Sequence, residues 1–311
     1  MYREVQRNTQ LESLNFDDLI VWHAAWKQWR NVRRELYRLM GSDNIESVIK
    51  AIREAPGFFE ILKDIVKVSG KDIEEVEHMA RDGVEIIPIT DERYPEELLK
   101  MQRQNELIYP PLVLYAKGAV INLNKLTMIA VVGTRTPTEK GRETAREIGR
   151  RLAEKGLTLV TGFAKGVDAA VTEGVKEGGG VAVEVRPWLN PLEIPSECRY
   201  LLSYVLRKGC IVSENWAKRG PQSWIKMQYF LRNRLIAGMA KAVVVVEARE
   251  GGGSMHQVEF ALKRGKPTFI WRTTGTDEGI KRGFKKYTSL GATLFNDVNE
   301  LMKALAEHLK A

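Results

Sequence analysis

Cysteine is nearly missing from this chain: two residues in 311, Cys198 and Cys210, without CxxC spacing. That excludes a disulfide-dense scaffold and a thiolate metal centre, and both thiols read as buried and free. The four histidines, His23, His78, His256 and His308, form no HExxH or HxH pair, which argues against a zinc enzyme. No apolar run approaches ~18 residues, so no membrane-spanning helix is expected. Stretches such as Ala242–Val246 have the length of buried strands instead. The opening Met1-Tyr2-Arg3-Glu4 leads into no apolar core with a small-residue cleavage site, so a cytoplasmic location is expected.

What is present is ordinary for a globular protein, with 44% hydrophobic and 28% charged residues. Disordered and collagen-like chains are thereby excluded. The length suits one large or two ordinary domains. Charge is divided unevenly. Residues 1–85 hold 13 basic and 16 acidic side chains, whereas 86–311 hold 35 and 24, a net of +11. A polyanionic partner belongs on the second part.

Residues 1–85 read as helical and 86–311 as a second domain. Leu14, Val21, Trp22, Ala25, Trp26 and Trp29 recur at three-, four- and seven-residue spacing, as one apolar helix stripe does. The tryptophans suit a helix core better than a base-stacking face. Further helices are expected at about 44–54, 57–68 and 71–82, with Ser42 and Ser69 as start signals. From 126 onward, short aliphatic runs alternate with helix-length segments. The runs are Met128–Val132, Leu157–Thr161, Val181–Val185, Cys210–Ser213, Ala242–Glu247 and Pro267–Trp271. This alternation predicts an α/β domain, a doubly wound, mostly parallel sheet with helices on both faces, preceded by a small all-helical domain. Ligands of such sheets bind beyond the carboxyl ends of the strands.

Those ends carry the candidate residues. Gly133-Thr134-Arg135 follows the first run, where backbone N–H groups and a guanidinium would meet a phosphate. It is not G-x-G-x-x-G, and no acidic residue stands at the ribose position, so a standard dinucleotide site is disfavoured. Thr161-Gly162-Phe163-Ala164-Lys165-Gly166 follows the second run and reads as an anion cradle at a helix start, with Asp168 in the first turn. Phe163 is either a base-stacking surface or core. Gly251-Gly252-Gly253-Ser254 permits close ligand approach. Arg232-Asn233-Arg234 is expected to open a helix, where the arginines would oppose the helix dipole and need an anion or a partner such as Glu214.

Read in order, Tyr94-Pro95, Leu112–Gly118, Val131–Arg135, Thr161–Asp168, Ser213-Glu214, Arg232–Gly238 and Val246–Ser254 resemble the DNA-processing protein A family (DprA, also called Smf) over roughly 86–295. The resemblance implies a Rossmann-like domain that binds single-stranded DNA, forms a homodimer and delivers the strand to a RecA-type recombinase. No cofactor and no metal are expected, and no room is expected for the winged-helix domain of many members. Thr172 stands where the family usually has histidine, Arg186–Asn190 replaces a glycine-rich stretch, and Gln257 replaces a hydroxyl.

The primary reading is therefore a non-catalytic binding protein for single-stranded DNA. Its phosphates would lie on Gly133, Thr134, Arg135, Thr161, Gly162, Lys165, Gly166, Arg232, Asn233, Arg234, Gly252, Gly253 and Ser254. The alternative is a nucleotide-binding protein or N-glycosidic hydrolase resembling the phosphoribohydrolases of the same superfamily, with Glu259 as its acid/base residue.

Overall fold

The computed structural model describes residues 14–41, 44–55, 57–100, 109–120, 122–272 and 277–310. The chain divides into two compact units: residues 1–94 with 102–116, and 95–101 with 117–311. The change of texture at 85 suggests a single cut, but the chain passes between the units more than once.

The first unit carries α1 (Phe16–Lys27), α2 (Trp29–Met40), α3 (Ile45–Glu54), α4 (Phe58–Ile65) and α5 (Gly70–Arg81). It also holds the strand β1 (Val84–Pro88), so it is mainly rather than wholly helical. The stripe read as one helix is split at Gln28, which ends α1 and precedes α2, and Leu14 lies ahead of α1. Trp22 and Trp29 are buried, Trp22 stacked on Phe59 with ring centroids 5.5 Å apart, so they are core. Ser69 starts α5 through a capping box: its Oγ accepts from Asp72 N, and its own N–H donates to the Asp72 carboxylate. Asn44 caps α3; Ser42 lies outside the described residues. His23, buried between the Tyr115 hydroxyl and the Glu75 carboxylate at 2.7 and 2.8 Å, joins Lys27 and Asp72 in a closed polar network.

The chain continues through α6 (Glu96–Leu99) and β2 (Val113–Gly118) into the α/β unit. Its elements are β3 (Met128–Gly133), α7 (Glu139–Glu154), β4 (Thr158–Thr161), α8 (Val167–Glu177), β5 (Ala182–Val185), α9 (Arg199–Lys208) and β6 (Cys210–Ser213). Then come α10 (Gln222–Met239), β7 (Ala242–Val246), α11 (Gly253–Lys263), β8 (Thr268–Trp271), α12 (Glu278–Ser289), β9 (Thr293–Phe295) and α13 (Val298–Lys310).

The strands lie in the order β6-β5-β4-β3-β7-β8-β9, all parallel. Their near-continuous Val, Ile and Ala content follows from burial on both faces: all five residues of β7 are buried. This is the doubly wound, Rossmann-like architecture the alternation predicts. The chain leaves β3 toward β4 on one side and returns to β7 on the other. The crevice between their carboxyl ends is the topological switch point of the sheet. Both cysteines are buried and free. Among the described residues no helix is long and apolar enough to cross a membrane.

Candidate nucleic-acid interface

The loops after β3, β4 and β7 meet at the switch point and are tied by backbone bonds. Thr134 N donates to Glu247 O at 2.9 Å, and Val167 N donates to Thr134 O at 3.1 Å. Phe163 and Glu247, at two of these strand ends, both have left-handed backbones, φ 53° and 50°. Such conformations in non-glycine residues persist where the surroundings over-determine them. Glu247 is turned inward, and its carboxylate accepts from Thr138 N and Oγ1 at 2.7 and 2.6 Å, holding the residue that caps α7. Gly133 owes its identity to packing: a Cβ there would lie 2.0 Å from Val246 O.

The loops enclose a crevice of about 360 Å³. Of the residues expected from the sequence it gathers Gly133, Thr134, Arg135, Arg232, Asn233, Gly252, Gly253 and Ser254, and it adds Ala164, Asp168, Arg249 and Gln257. Arg249 lies in the loop three residues after the end of β7, and the rule that ligands bind at strand ends would have found it.

Arg232 is the centre of the site. It lies within α10 rather than at a helix start, because that helix begins at Gln222, after Pro221. The side chain is 5% exposed, and its Nε is buried without a hydrogen-bond partner. The guanidinium presses against Gly162, where a Cβ would fall 1.7 Å from Nη1. Burial lowers its pKa to about 10, with the Asp168 charge acting to raise it. Arg232 therefore stays cationic at neutral pH. A buried cation with an unsatisfied donor, lining a crevice, is arranged for an anion. Exposed Arg135 stands beside it, and Arg249 is held by Asp277 at 2.8 Å. The N-terminus of α11, with no side-chain cap on Gly252, supplies backbone N–H groups from the same side.

The loop after β4 departs from its expected role. Its cradle is filled from within, since Asp168 Oδ2 accepts from Gly162 N and Ala164 N, each at 3.2 Å. Burial pushes the Asp168 carboxyl up, against the pull of Arg232 and these amides. Thr161 Oγ1 donates to Val131 O at 2.8 Å within the sheet, and Phe163 is fully buried core, unable to stack a base. Gly166 is the N-cap residue of α8, and exposed Lys165 stands 3.9 Å from Glu197. Thr161, Gly162, Phe163, Lys165 and Gly166 do not line the crevice. Arg234 is likewise removed, bidentate to buried Glu214 at 3.1 and 2.7 Å. Glu259 does not line the crevice either and pairs with Lys286 at 3.3 Å.

Beneath the crevice, burial pushes the Glu184 carboxyl up to about 8. Its geometry agrees. Thr172 Oγ1 lies 2.9 Å from Asp168 O and 2.7 Å from Glu184 Oε1, and one hydroxyl proton cannot serve both. A protonated Glu184 supplies the second bond.

Residues 85–306 match the family described as DNA recombination-mediator protein A. DNA processing protein DprA of Bacillus subtilis is 30% identical over 187 residues, 60% of each chain, so the match spans less than two thirds of that relative. DNA processing protein DprA of Streptococcus pneumoniae is 30% identical over 69% of this chain and 72% of its own. The solved structure of the S. pneumoniae protein covers 94% of this chain and 98% of its own, with TM-score 0.65 and 24% identity. DNA processing protein A of Helicobacter pylori, described for its single-stranded DNA binding mode, covers 72% and 96%, with TM-score 0.60 and 23% identity.

Proposed function

Because the chain belongs to the DNA recombination-mediator protein A family, we propose that it binds single-stranded DNA, with the phosphate backbone drawn into the switch-point crevice. The observation that carries this reading is Arg232, a buried guanidinium with an unpartnered Nε, between exposed Arg135 and the uncapped start of α11. Its charge is fixed in place before a ligand arrives, so little ordering is required on binding. Such a site holds a backbone and tolerates any sequence, as recombination intermediates require. The proposal extends to a homodimer that delivers the strand to a RecA-type recombinase in the cytoplasm. Its site is Gly133, Thr134, Arg135, Arg232, Asn233 and Gly252–Ser254, with Arg249 and Gln257.

The hydrolase reading draws no support from the geometry. Its acid/base candidate, Glu259, lies outside the crevice against Lys286. A fluorescence-anisotropy titration with labelled oligo-dT over a range of salt concentrations tests the proposal. Binding that weakens steeply with salt is expected. Absent or salt-indifferent binding overturns it.

A further inference from the structure

Phe230 and His256 are unexplained by the phosphate crevice. Phe230, on α10, is 40% exposed, and His256, on α11, is exposed as well. Their rings meet edge to face, centroids 4.8 Å apart and planes at 74°. Lone exposed apolar residues are common, but this is a pair of rings contributed by the two helices that wall the crevice. Phe230 stands three residues before Asn233, and His256 three after Gly253, both crevice residues. Three helical residues rise about 4.5 Å and return to the same face. The helices are locked at this level: Asn233 Nδ2 donates to Gly253 O at 3.2 Å, and Gln257 Nε2 to Asn233 Oδ1 at 3.1 Å.

We propose that Phe230 and His256 form a stacking platform for one base of the strand whose phosphate enters the crevice. The inference rests on the function proposed above and assigns the base, which that reading leaves without a place. An edge-to-face pair leaves a ring face open, and every base offers a π-face to it, so the contact suits a sequence-tolerant binder. The neighbouring cations favour a polyanion over an apolar partner at this surface. Exposed Met227, one turn before Phe230, continues the strip along α10.

The test is an anisotropy titration of the wild type, Phe230→Ala and Phe230→Trp with oligo-dT and with an abasic strand of equal length, across several salt concentrations. Stacking predicts that Phe230→Ala weakens oligo-dT binding about five- to tenfold. The abasic strand should bind the alanine variant as it binds the wild type. The salt dependence should be unchanged, since no phosphate contact is lost, and Phe230→Trp should restore affinity. The platform is overturned if Phe230→Ala binds oligo-dT like wild type, or loses equally on both strands. It is also overturned if sedimentation shows that the substitution alters only self-association. Wild-type protein that binds neither strand overturns the parent reading as well, which separates the two failures.

Discussion

Among individual side chains, the decisive contrast lies within one tripeptide. Arg232 and Arg234 are two residues apart in α10, yet Arg234 is neutralised by Glu214 while Arg232 lines the crevice and keeps a buried, unsatisfied Nε. A two-residue step turns a helix by about 200°, so the pair points to opposite sides. Exposed Arg135 is the safer residue to substitute, since removing it leaves no buried charge behind. Arg135→Ala should cost about tenfold to a hundredfold in affinity for oligo-dT and lessen the salt slope by about one contact, read by anisotropy. Its melting temperature should match wild type. Glu184 gives a pH prediction of definite sign. Its carboxyl rises from an ordinary 4.5 to about 8 in the folded protein. The folded state thus binds the extra proton, and this contribution to stability is present below 4.5 and lost as pH rises toward 8. Wild-type melting temperature should fall across that window, and Glu184→Gln should flatten the profile in calorimetry.

For the elements, the six strands β3 to β8 were legible almost to the residue, because a strand buried on both faces must be continuously apolar, whereas short, partly exposed β9 was missed. Helix ends were legible where a polar cap marks them. Ser69 followed by Asp72 announces α5, and Ser69→Ala should lower stability by about 1 kcal/mol, measured by thermal denaturation followed by circular dichroism. Where the cap is missing the boundary was lost. α10 opens after Pro221 with no side-chain cap, and Gln222–Phe230 carries exposed Met227 and Phe230, so it shows no clear apolar face. The break at Gln28 was hidden for the opposite reason: Trp22, Trp26 and Trp29 continue a plausible stripe across it.

For the molecule as a whole, the formal charge of +8 comes entirely from residues 86–311, within which the crevice lies. Many of these cations are spoken for. Arg146 is paired to Glu177, Arg150 to Glu147 and Glu154, and Arg282 to Glu250. Net charge therefore overstates the binding surface. If Arg135, Arg232 and Arg249 make the phosphate contacts, two to three phosphates are neutralised. The logarithmic salt slope for a single strand should then be about −1.5 to −2. A slope near about −6 would mean that the strand follows a longer basic path than this crevice.

The six strands β3 to β8 and their parallel sheet were determined by the sequence alone, whereas β1, β2, β9 and α12 were not among the expected segments. Hydrophobic period and run length are local properties, readable without knowing what packs on what. Motif order identified the family for the same reason. The allocation of each polar group belonged to the tertiary structure. Gly162 and Ala164 amides face Asp168, Thr161 is bonded into the sheet, Phe163 is core, and Glu259 faces Lys286. A donor in a short loop has several partners within reach, and which one it meets depends on how distant segments approach in space. Hydrogen bonds and ion pairs act over a few ångströms, a distance that sequence separation does not encode.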